Sequence, residues 1–253
     1  MNMDSIMKKY IYFFLMALPW VLSGCNEDKL TTKLVFAVSA DYPPFEYYEN
    51  GKITGFDIEL AQAIAQELGK EAVFKDMQFS TILAALQSHS VDGAISTLTM
   101  TEERQKRFDF SNPYYTETLA VVFLKEKPVF NAAHLSNKKI ACQLGSTMEI
   151  WLKKHVLDAE IISFDSSNQI IEALKAGHVD VALMDGIQGA IFSQKNADLS
   201  YALIGKSDAG YGIAFPKESP LKDQVNHALK VLQENGTLQK LQKKWLESTK
   251  WTH

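Results

Sequence analysis

The chain reads as an α/β protein of two similar lobes, each a mostly parallel sheet flanked by helices. Three observations point there. First, Leu83–Ile95 and Ile171–Leu183 repeat one pattern: Ala85, Leu86, Val91, Asp92 and Ala94 recur as Ala173, Leu174, Val179, Asp180 and Ala182, at a constant offset of 173 − 85 = 88 residues. Each copy is the end of an amphipathic helix, a polar turn and a buried strand. Second, strand-like and helix-like runs alternate along most of the sequence, which implies right-handed crossovers and parallel strands. Third, 253 residues with 46% hydrophobic and 22% charged content suffice for one large or two modest domains with real cores, and the repeat favours two.

The elements follow in order. Lys8 and Lys9 precede the uncharged run Tyr10–Leu22, and Leu22-Ser-Gly-Cys25 follows. A basic start, a short apolar run and small residues before a cut site mark residues 1–24 as a secretory signal. Pro19 and the shortness of the run argue against an uncleaved membrane anchor. Leu-Ser-Gly-Cys resembles the bacterial lipobox, which implies that Cys25 carries lipid and that residues 25–32 form a polar tether. Cys142 is then the one remaining cysteine, so no internal disulfide is expected; it reads as a packing residue in a strand.

Leu34–Val38 is continuously apolar, as in a strand covered on both faces. Tyr42-Pro-Pro-Phe45 makes a rigid loop at its end. Asp57 is the expected cap of a helix carrying Ile58, Leu60, Ala61, Ile64, Ala65 and Leu68, ended by Gly69. Ser80 is the expected cap of a helix over Thr81–Gln87, which leads into strand Val91–Ile95. Thr101-Glu-Glu103 opens a further helix, with a capping hydroxyl and acids that suit the macrodipole. Phe108–Tyr115 reads as irregular, and strand Leu119–Leu124 carries the chain into the second lobe.

There Lys139–Gln143, a helix after Ser146, Glu160–Phe164, a helix after Ser166 and Val179–Met184 repeat the scheme. Gly210–Phe215 is strand-like, and helices Pro220–Glu234 and Thr237–Leu246 close the chain. The apolar positions of those helices (Val225, Ala228, Leu229, Leu232; Leu238, Leu241, Trp245) need a sheet to cover. The first lobe is the natural host, so the expected division is 33–117 with 209–253 for one lobe and 118–208 for the other.

A net charge of −4 and scattered lysines and arginines argue against a nucleic-acid partner. The sequence contains no G-x-S-x-G, H-E-x-x-H, P-loop or strand-borne G-x-G-x-x-G. His89 and His178 read as solvated turn residues, and His134, His155, His227 and His253 lack ligand spacing. Neither metal nor cofactor is expected.

Ligands of open α/β sheets bind beyond the C-terminal ends of the strands. Here that rule selects Ser39–Phe45, Ser96–Thr99, Gln143–Met148 and Asp185, and the repeat sets Thr97 opposite Asp185. Ser96, Thr97 and Thr99 ahead of the Arg104 helix combine hydroxyls, N–H groups and a guanidinium, a good anion site; an exposed Arg104 paired with Glu103 or Asp109 is the plainer reading. Gly145-Ser146-Thr147 offers more donors or ordinary capping. Asp185 holds an ammonium group or caps the next helix, and Tyr42 and Phe79 sandwich a ligand or simply pack in the core. An anion pocket, an opposing carboxylate and aromatic walls suit a zwitterion such as a free amino acid.

The chain resembles the bacterial extracellular solute-binding proteins of the polar amino acid type, over about Leu34–Leu246. The motifs are Tyr42-Pro-Pro-Phe-Glu46, Gly55-Phe-Asp-Ile-Glu-Leu60, Val91-Asp-Gly-Ala-Ile-Ser96, Thr101-Glu-Glu-Arg-Gln105, Phe108-Asp-Phe-Ser-Asn-Pro-Tyr-Tyr115 and Gly145-Ser-Thr147. The resemblance implies a type II periplasmic-binding-protein-like fold whose lobes close by hinge bending on a free amino acid, and a monomeric receptor, not an enzyme. It also implies ABC permease subunits of the inner membrane as partners and a place in the periplasm or cell envelope. It assigns the ligand carboxylate to Arg104, Thr99 and Thr147, the ammonium to Asp185 and Thr97, and the flanking walls to Tyr42 and Phe79. Ser39, Ser96, Gln143 and Ser146 complete the expected site. The Val38–Glu46 loop is similar to that of arginine-binding members, so arginine is the expected ligand, with lysine or another polar amino acid next. Ser39 stands where several relatives carry aspartate, for which Asp41 or Glu46 is a substitute, and Met148 stands where many carry glutamine. Two other readings compete. One is an enzyme on the same scaffold, such as a cyclohexadienyl (prephenate or arogenate) dehydratase with Glu46 as its candidate acid. The other is an extracellular sensor domain, against which stands the end of the chain at His253 without a following membrane span.

Overall fold

The computed structural model describes residues 32–247. The expected signal peptide, Cys25 and nearly all of the tether lie outside the described residues. Two five-stranded mixed sheets form the frame, one in each lobe.

The first sheet runs in the order Glu71–Asp76 (β5), Lys33–Val38 (β1), Gly93–Ala94 (β6), Ala214–Pro216 (β13), Phe108–Phe110 (β7). The apolar run expected at Leu34–Val38 is β1 (Lys33–Val38). It pairs in parallel with β5 (Glu71–Asp76) and β6 (Gly93–Ala94). The crossovers are α1 (Phe56–Glu67) and α2 (Phe79–Gln87). Antiparallel β13 (Ala214–Pro216) and β7 (Phe108–Phe110) extend the sheet. A small meander of β2 (Asp41–Tyr42), β3 (Glu46–Glu49) and β4 (Lys52–Thr54) grows out of the Tyr-Pro-Pro loop. Helix α3 (Glu102–Arg107) has Thr101 as its cap, whose hydroxyl accepts the Arg104 N–H at 3.2 Å.

The second sheet runs Glu160–Phe164 (β10), Lys139–Gln143 (β9), Val181–Asp185 (β11), Tyr115–Leu124 (β8), Leu199–Tyr211 (β12). Parallel β9 (Lys139–Gln143), β10 (Glu160–Phe164) and β11 (Val181–Asp185) alternate with α4 (Thr147–His155) and α5 (Ser167–Lys175). Ser146 and Ser166 cap those helices, as their sequence positions suggest. Helix α6 (Gly186–Lys195) follows β11. The chain passes between lobes along β8 (Tyr115–Leu124) and β12 (Leu199–Tyr211), antiparallel neighbours from Leu124↔Leu199 to Tyr115↔Tyr211. β8 is longer than the pattern at Leu119–Leu124 implies, and the run expected as one strand at Gly210–Phe215 is split between the end of β12 and β13, with Gly212 and Ile213 between them.

The terminal helices α7 (Leu221–Glu234) and α8 (Thr237–Trp245) return to the first lobe. Their Val225, Ala228, Leu229, Leu232 and Trp245 are buried in one cluster with Phe36, Phe56 and Ile64. This is the host the apolar stripes require.

The repeat proves structural in detail. Val35 N–H donates to Asp92 Oδ2 and Asp92 N–H to Val35 O, both at 2.8 Å. Lys139 N–H and Asp180 make the same reciprocal pair, again at 2.8 Å. One aspartate therefore clasps the start of a neighbouring strand in each lobe. The left-handed turn residue before it is His89 (φ 55°) in one copy and Gly177 (φ 72°) in the other, so Gly177 rather than His178 is the counterpart of His89.

Local expectations fail where tertiary partners decide. Asp57 does not cap its helix: α1 begins at Phe56 with Gly55 as the cap, and the carboxyl of Asp57 turns inward. Ser80 lies inside α2, which starts at Phe79 behind Gln78. Phe108–Phe110 is a strand, not irregular chain, because β13 supplies its hydrogen-bonding partner. Cys142 is buried in β9, as expected of a packing residue, and burial pushes its thiol up to about 11.

Candidate functional site

The strand tips of the two sheets face each other, and polar side chains from both sides meet between them. Arg104, at the start of α3, turns back under the β6 tip and is buried. Its Nη1 donates to Thr99 O at 3.0 Å, and its Nη2 reaches across to Gly145 O in the second lobe at 3.1 Å. The exposed reading of Arg104 is thereby overturned. Gly145 presents that carbonyl from a φ of 76°, which favours glycine, and its Cβ position lies 3.4 Å from Ser80 Cα of the first lobe. Phe79 lies beneath the guanidinium, 5.9 Å from ring centroid to Cζ, and packs into the core with Ile82 and Leu86. Thr99 and Thr147 bring their hydroxyls to 3.3 Å of each other across the gap.

Asp185 ends β11 and is fully buried. Its Oδ1 accepts the Ile187 N–H at 2.7 Å, which makes it the cap of α6, and its Oδ2 accepts the Tyr211 hydroxyl at 3.0 Å. Burial pushes its carboxyl up to about 6. Its own N–H donates to the hydroxyl of Tyr42 in the first lobe at 3.4 Å. The cap reading of Asp185 is realised, and the donors that hold the carboxyl are neutral. Thr97, its repeat partner, is nearly buried and held in the left-handed region at φ 47°.

Further contacts cross between the lobes. Gln188 Nε2 donates to Pro43 O. Asp41 Oδ2 accepts the N–H of Ser167, the first residue of α5, at 3.2 Å, while its Oδ1 accepts the Ser39 hydroxyl at 3.2 Å. Burial raises the Asp41 carboxyl above its usual range.

Not every expected residue faces the gap in the same way. The Ser96 hydroxyl donates to Glu46 Oε1 at 2.7 Å and accepts the Ser39 N–H at 3.0 Å, so it acts through its neighbours. The Ser146 hydroxyl donates to Gln143 O at 2.6 Å and accepts the Glu149 N–H at 3.3 Å, which is a capping role. Gln143 ends β9, half-buried, and its carbonyl anchors that cap. Met148 is buried in the second-lobe core. Glu46 is buried beneath Ser96, whose hydroxyl it accepts through Oε1.

Three contributors were missed from sequence, Gln188, Tyr211 and Tyr114, and Gly145, read there as a source of donors, contributes its carbonyl instead. Each acts through a partner far along the chain. Among the described residues no group of histidine, cysteine and acidic side chains comes together to hold a metal.

Two lobes on paired hinge strands, with a buried guanidinium and a buried carboxylate at opposed strand tips, define a protein that encloses a small charged solute. The family model of the bacterial extracellular solute-binding proteins, family 3, matches residues 34–248, and the chain belongs to that family. It is 35% identical over 255 residues to the arginine-binding extracellular protein ArtP of Bacillus subtilis, covering 96% of this chain and 100% of that one. It is 32% identical to the L-cystine-binding protein TcyJ of Escherichia coli, covering 87% of this chain and 85% of the relative. The crystal structure of the amino acid ABC transporter substrate-binding protein AbpA from Streptococcus pneumoniae, bound to L-arginine, superposes with a TM-score of 0.79 at 37% identity, over 84% of this chain and 93% of that chain.

Proposed function

We propose that the chain is the receptor subunit of an ABC importer and captures a free polar or basic L-amino acid, arginine first, between lobe I (33–117 with 209–253) and lobe II (118–208). The observation that carries this reading is Arg104: one guanidinium is oriented by a carbonyl from each lobe, so the group suited to an anion is complete when the lobes are together. A ligand α-carboxylate takes Arg104 with the Thr99 and Thr147 hydroxyls. The α-ammonium takes Asp185 and Thr97, and Tyr42 and Phe79 flank the side chain. Ser39 and Gln143 stand toward its distal end, where Asp41, hydrogen-bonded to Ser39, supplies negative charge for a basic group. Ser96 and Ser146 hold the tips in place. The protein acts as a monomer, anchored by lipid at Cys25 after removal of residues 1–24, and presents its closed form to permease subunits of the inner membrane.

Calorimetry on protein unfolded and refolded to strip bound solute tests this. Titration with L-arginine, L-lysine, L-glutamine and L-cystine should show arginine binding at micromolar Kd or tighter, about −8 kcal/mol. Absence of heat with all four would refute the reading; a preference for another of the four would move the specificity and leave the mechanism.

A further inference from the structure

Beneath the first-lobe tips lies a cluster that the binding reading does not use. Glu46, on β3, and Asp57, in the first turn of α1, are both fully buried. Their backbones are laced together: Phe56 N–H donates to Pro44 O and Asp57 N–H to Phe45 O, each at 2.9 Å. Gly55 permits this approach, because its φ of 130° and the closeness of Phe45 O leave no room for a Cβ. Each carboxyl has one satisfied oxygen. Glu46 Oε1 accepts the Ser96 hydroxyl at 2.7 Å, and Asp57 Oδ2 accepts the Thr97 N–H at 3.0 Å and the Tyr114 hydroxyl at 2.8 Å. The other two oxygens, Glu46 Oε2 and Asp57 Oδ1, are buried and meet no donor.

Two ionised carboxylates side by side in a dry core would leave both oxygens orphaned and repel each other. One proton between them answers both problems, by making one carboxyl the donor to the other. The groups that face the pair do not neutralise it. Asp41 adds like charge to Glu46, and Ser96, Thr97 and Tyr114 are neutral donors.

We infer that Glu46 and Asp57 share a single proton, and that this singly charged pair positions Ser96 and Thr97 for the ligand. The positioning half rests on the amino-acid reading above. Thr97 is β-branched yet left-handed, a conformation that needs holding, and Asp57 holds it through the N–H. Ser96 in turn fixes Ser39 through its N–H. Tyr114 extends the network to the hinge, since its N–H donates to Tyr211 O at 2.9 Å at the end of β12. The pair therefore ties two strand tips to the crossing strands.

Burial, with Asp57 alongside, raises the Glu46 carboxyl well above its usual range, and burial raises Asp57 to about 6. A carboxyl raised in the folded state keeps its proton while the unfolded chain releases it. Stability from this group is full below about pH 4.5 and is lost as pH rises toward the folded-state value.

The test uses Glu46→Gln and Glu46→Ala in the purified protein. Isotope-edited infrared spectra at pH 7 should show a protonated-carboxyl stretch in the native protein and lose it in Glu46→Gln, whose amide N–H takes the place of the shared proton. Ligand-free unfolding followed against pH between 5 and 8 should show Glu46→Gln with a shallower loss of stability, by about one proton at the steepest point. Arginine binding should weaken more than tenfold in Glu46→Ala and recover most of that loss in Glu46→Gln. A native protein without the carboxyl stretch, or with the same pH slope as Glu46→Gln, overturns the shared proton. Wild-type affinity in a folded Glu46→Ala overturns the positioning role. If no variant binds arginine, the amino-acid reading fails, and the spectra and ligand-free slopes still decide the shared proton.

Discussion

Replacing Asp185 with asparagine should make the protein more stable and unable to hold its ligand. Asn is as good a helix cap as Asp, so its side-chain oxygen can keep the Ile187 N–H and the start of α6 survives. What the substitution removes is a buried negative charge. Burial lifts that carboxyl from 3.8 to about 6, a difference of about 2.2 units, which at about 1.36 kcal/mol per unit is roughly 3 kcal/mol against the folded state at neutral pH. Asp185→Asn should recover up to that amount at pH 7, or roughly 6–12 °C at about 2–4 °C per kcal/mol for a chain of this size. The sign with pH follows from the raised value. The native carboxyl holds a proton that the unfolded chain has lost between about pH 4 and pH 6, so the gain is absent below pH 4 and complete above 6.

Binding should move the other way. A ligand ammonium enclosed against a neutral amide loses its counter-charge, at a cost on the order of 3–5 kcal/mol, or at least a hundredfold in Kd. In the native protein only ionised Asp185 serves, so affinity should fall about tenfold per pH unit below 6. Differential scanning fluorimetry from pH 4 to 8 and calorimetry at pH 7 read the two effects separately. A variant that melts below the native protein at pH 7, or that binds with native affinity, would show that Asp185 is a structural cap alone.

Arg104→Lys should weaken arginine binding more than tenfold by calorimetry, because a single ammonium cannot replace a fork that reaches Thr99 O and Gly145 O together. Gly186→Ala should lower stability by about 1–3 kcal/mol in urea unfolding, since the new methyl would overlap Thr118 Oγ1 and come within 2.8 Å of Leu203 Cδ2 on the hinge strands. Cys142 should resist maleimide at pH 7.5 in the folded protein and react at once in urea, given a buried thiol pushed up to about 11.

Much of the fold was legible because its signals are local. The Asp92 and Asp180 repeat, the caps at Thr101, Ser146 and Ser166, and the stripes of α7 and α8 each depend on residues within a turn or two. Elements whose identity depends on a distant partner were not legible. β7 is a strand only because β13 lies beside it, and Asp57 leaves the cap position because Thr97 and Tyr114, 40 and 57 residues away, offer it better donors. The same division holds for the candidate site. The strand-tip rule selects Thr99 and Asp185 and the anion-site pattern adds Arg104, whereas Tyr211, Gln188 and the pairing of Glu46 with Asp57 require the tertiary structure, since neither spacing nor residue type distinguishes them from ordinary core residues.

The contacts between lobes explain how capture and closure become one event on the proposed reading. Tyr42 to Asp185, Gln188 to Pro43, Asp41 to Ser167, Thr99 to Thr147 and Arg104 to Gly145 are hydrogen bonds worth about 0.5–1.5 kcal/mol each. Against them stands the desolvation of the Asp185 carboxylate and of the Arg104 guanidinium, both buried. In the ligand-free protein the two buried charges therefore oppose the hydrogen bonds that hold the lobes together. A zwitterion brings a cation to Asp185 and an anion to Arg104 and tips that balance, whereas a neutral solute of the same shape leaves the cost standing. Selectivity for charge at both ends of the ligand thus comes from the same burial that strips both charges of water in the empty protein, and neutralising either end, as in an amino-acid amide or an N-acetyl amino acid, should weaken closure together with affinity.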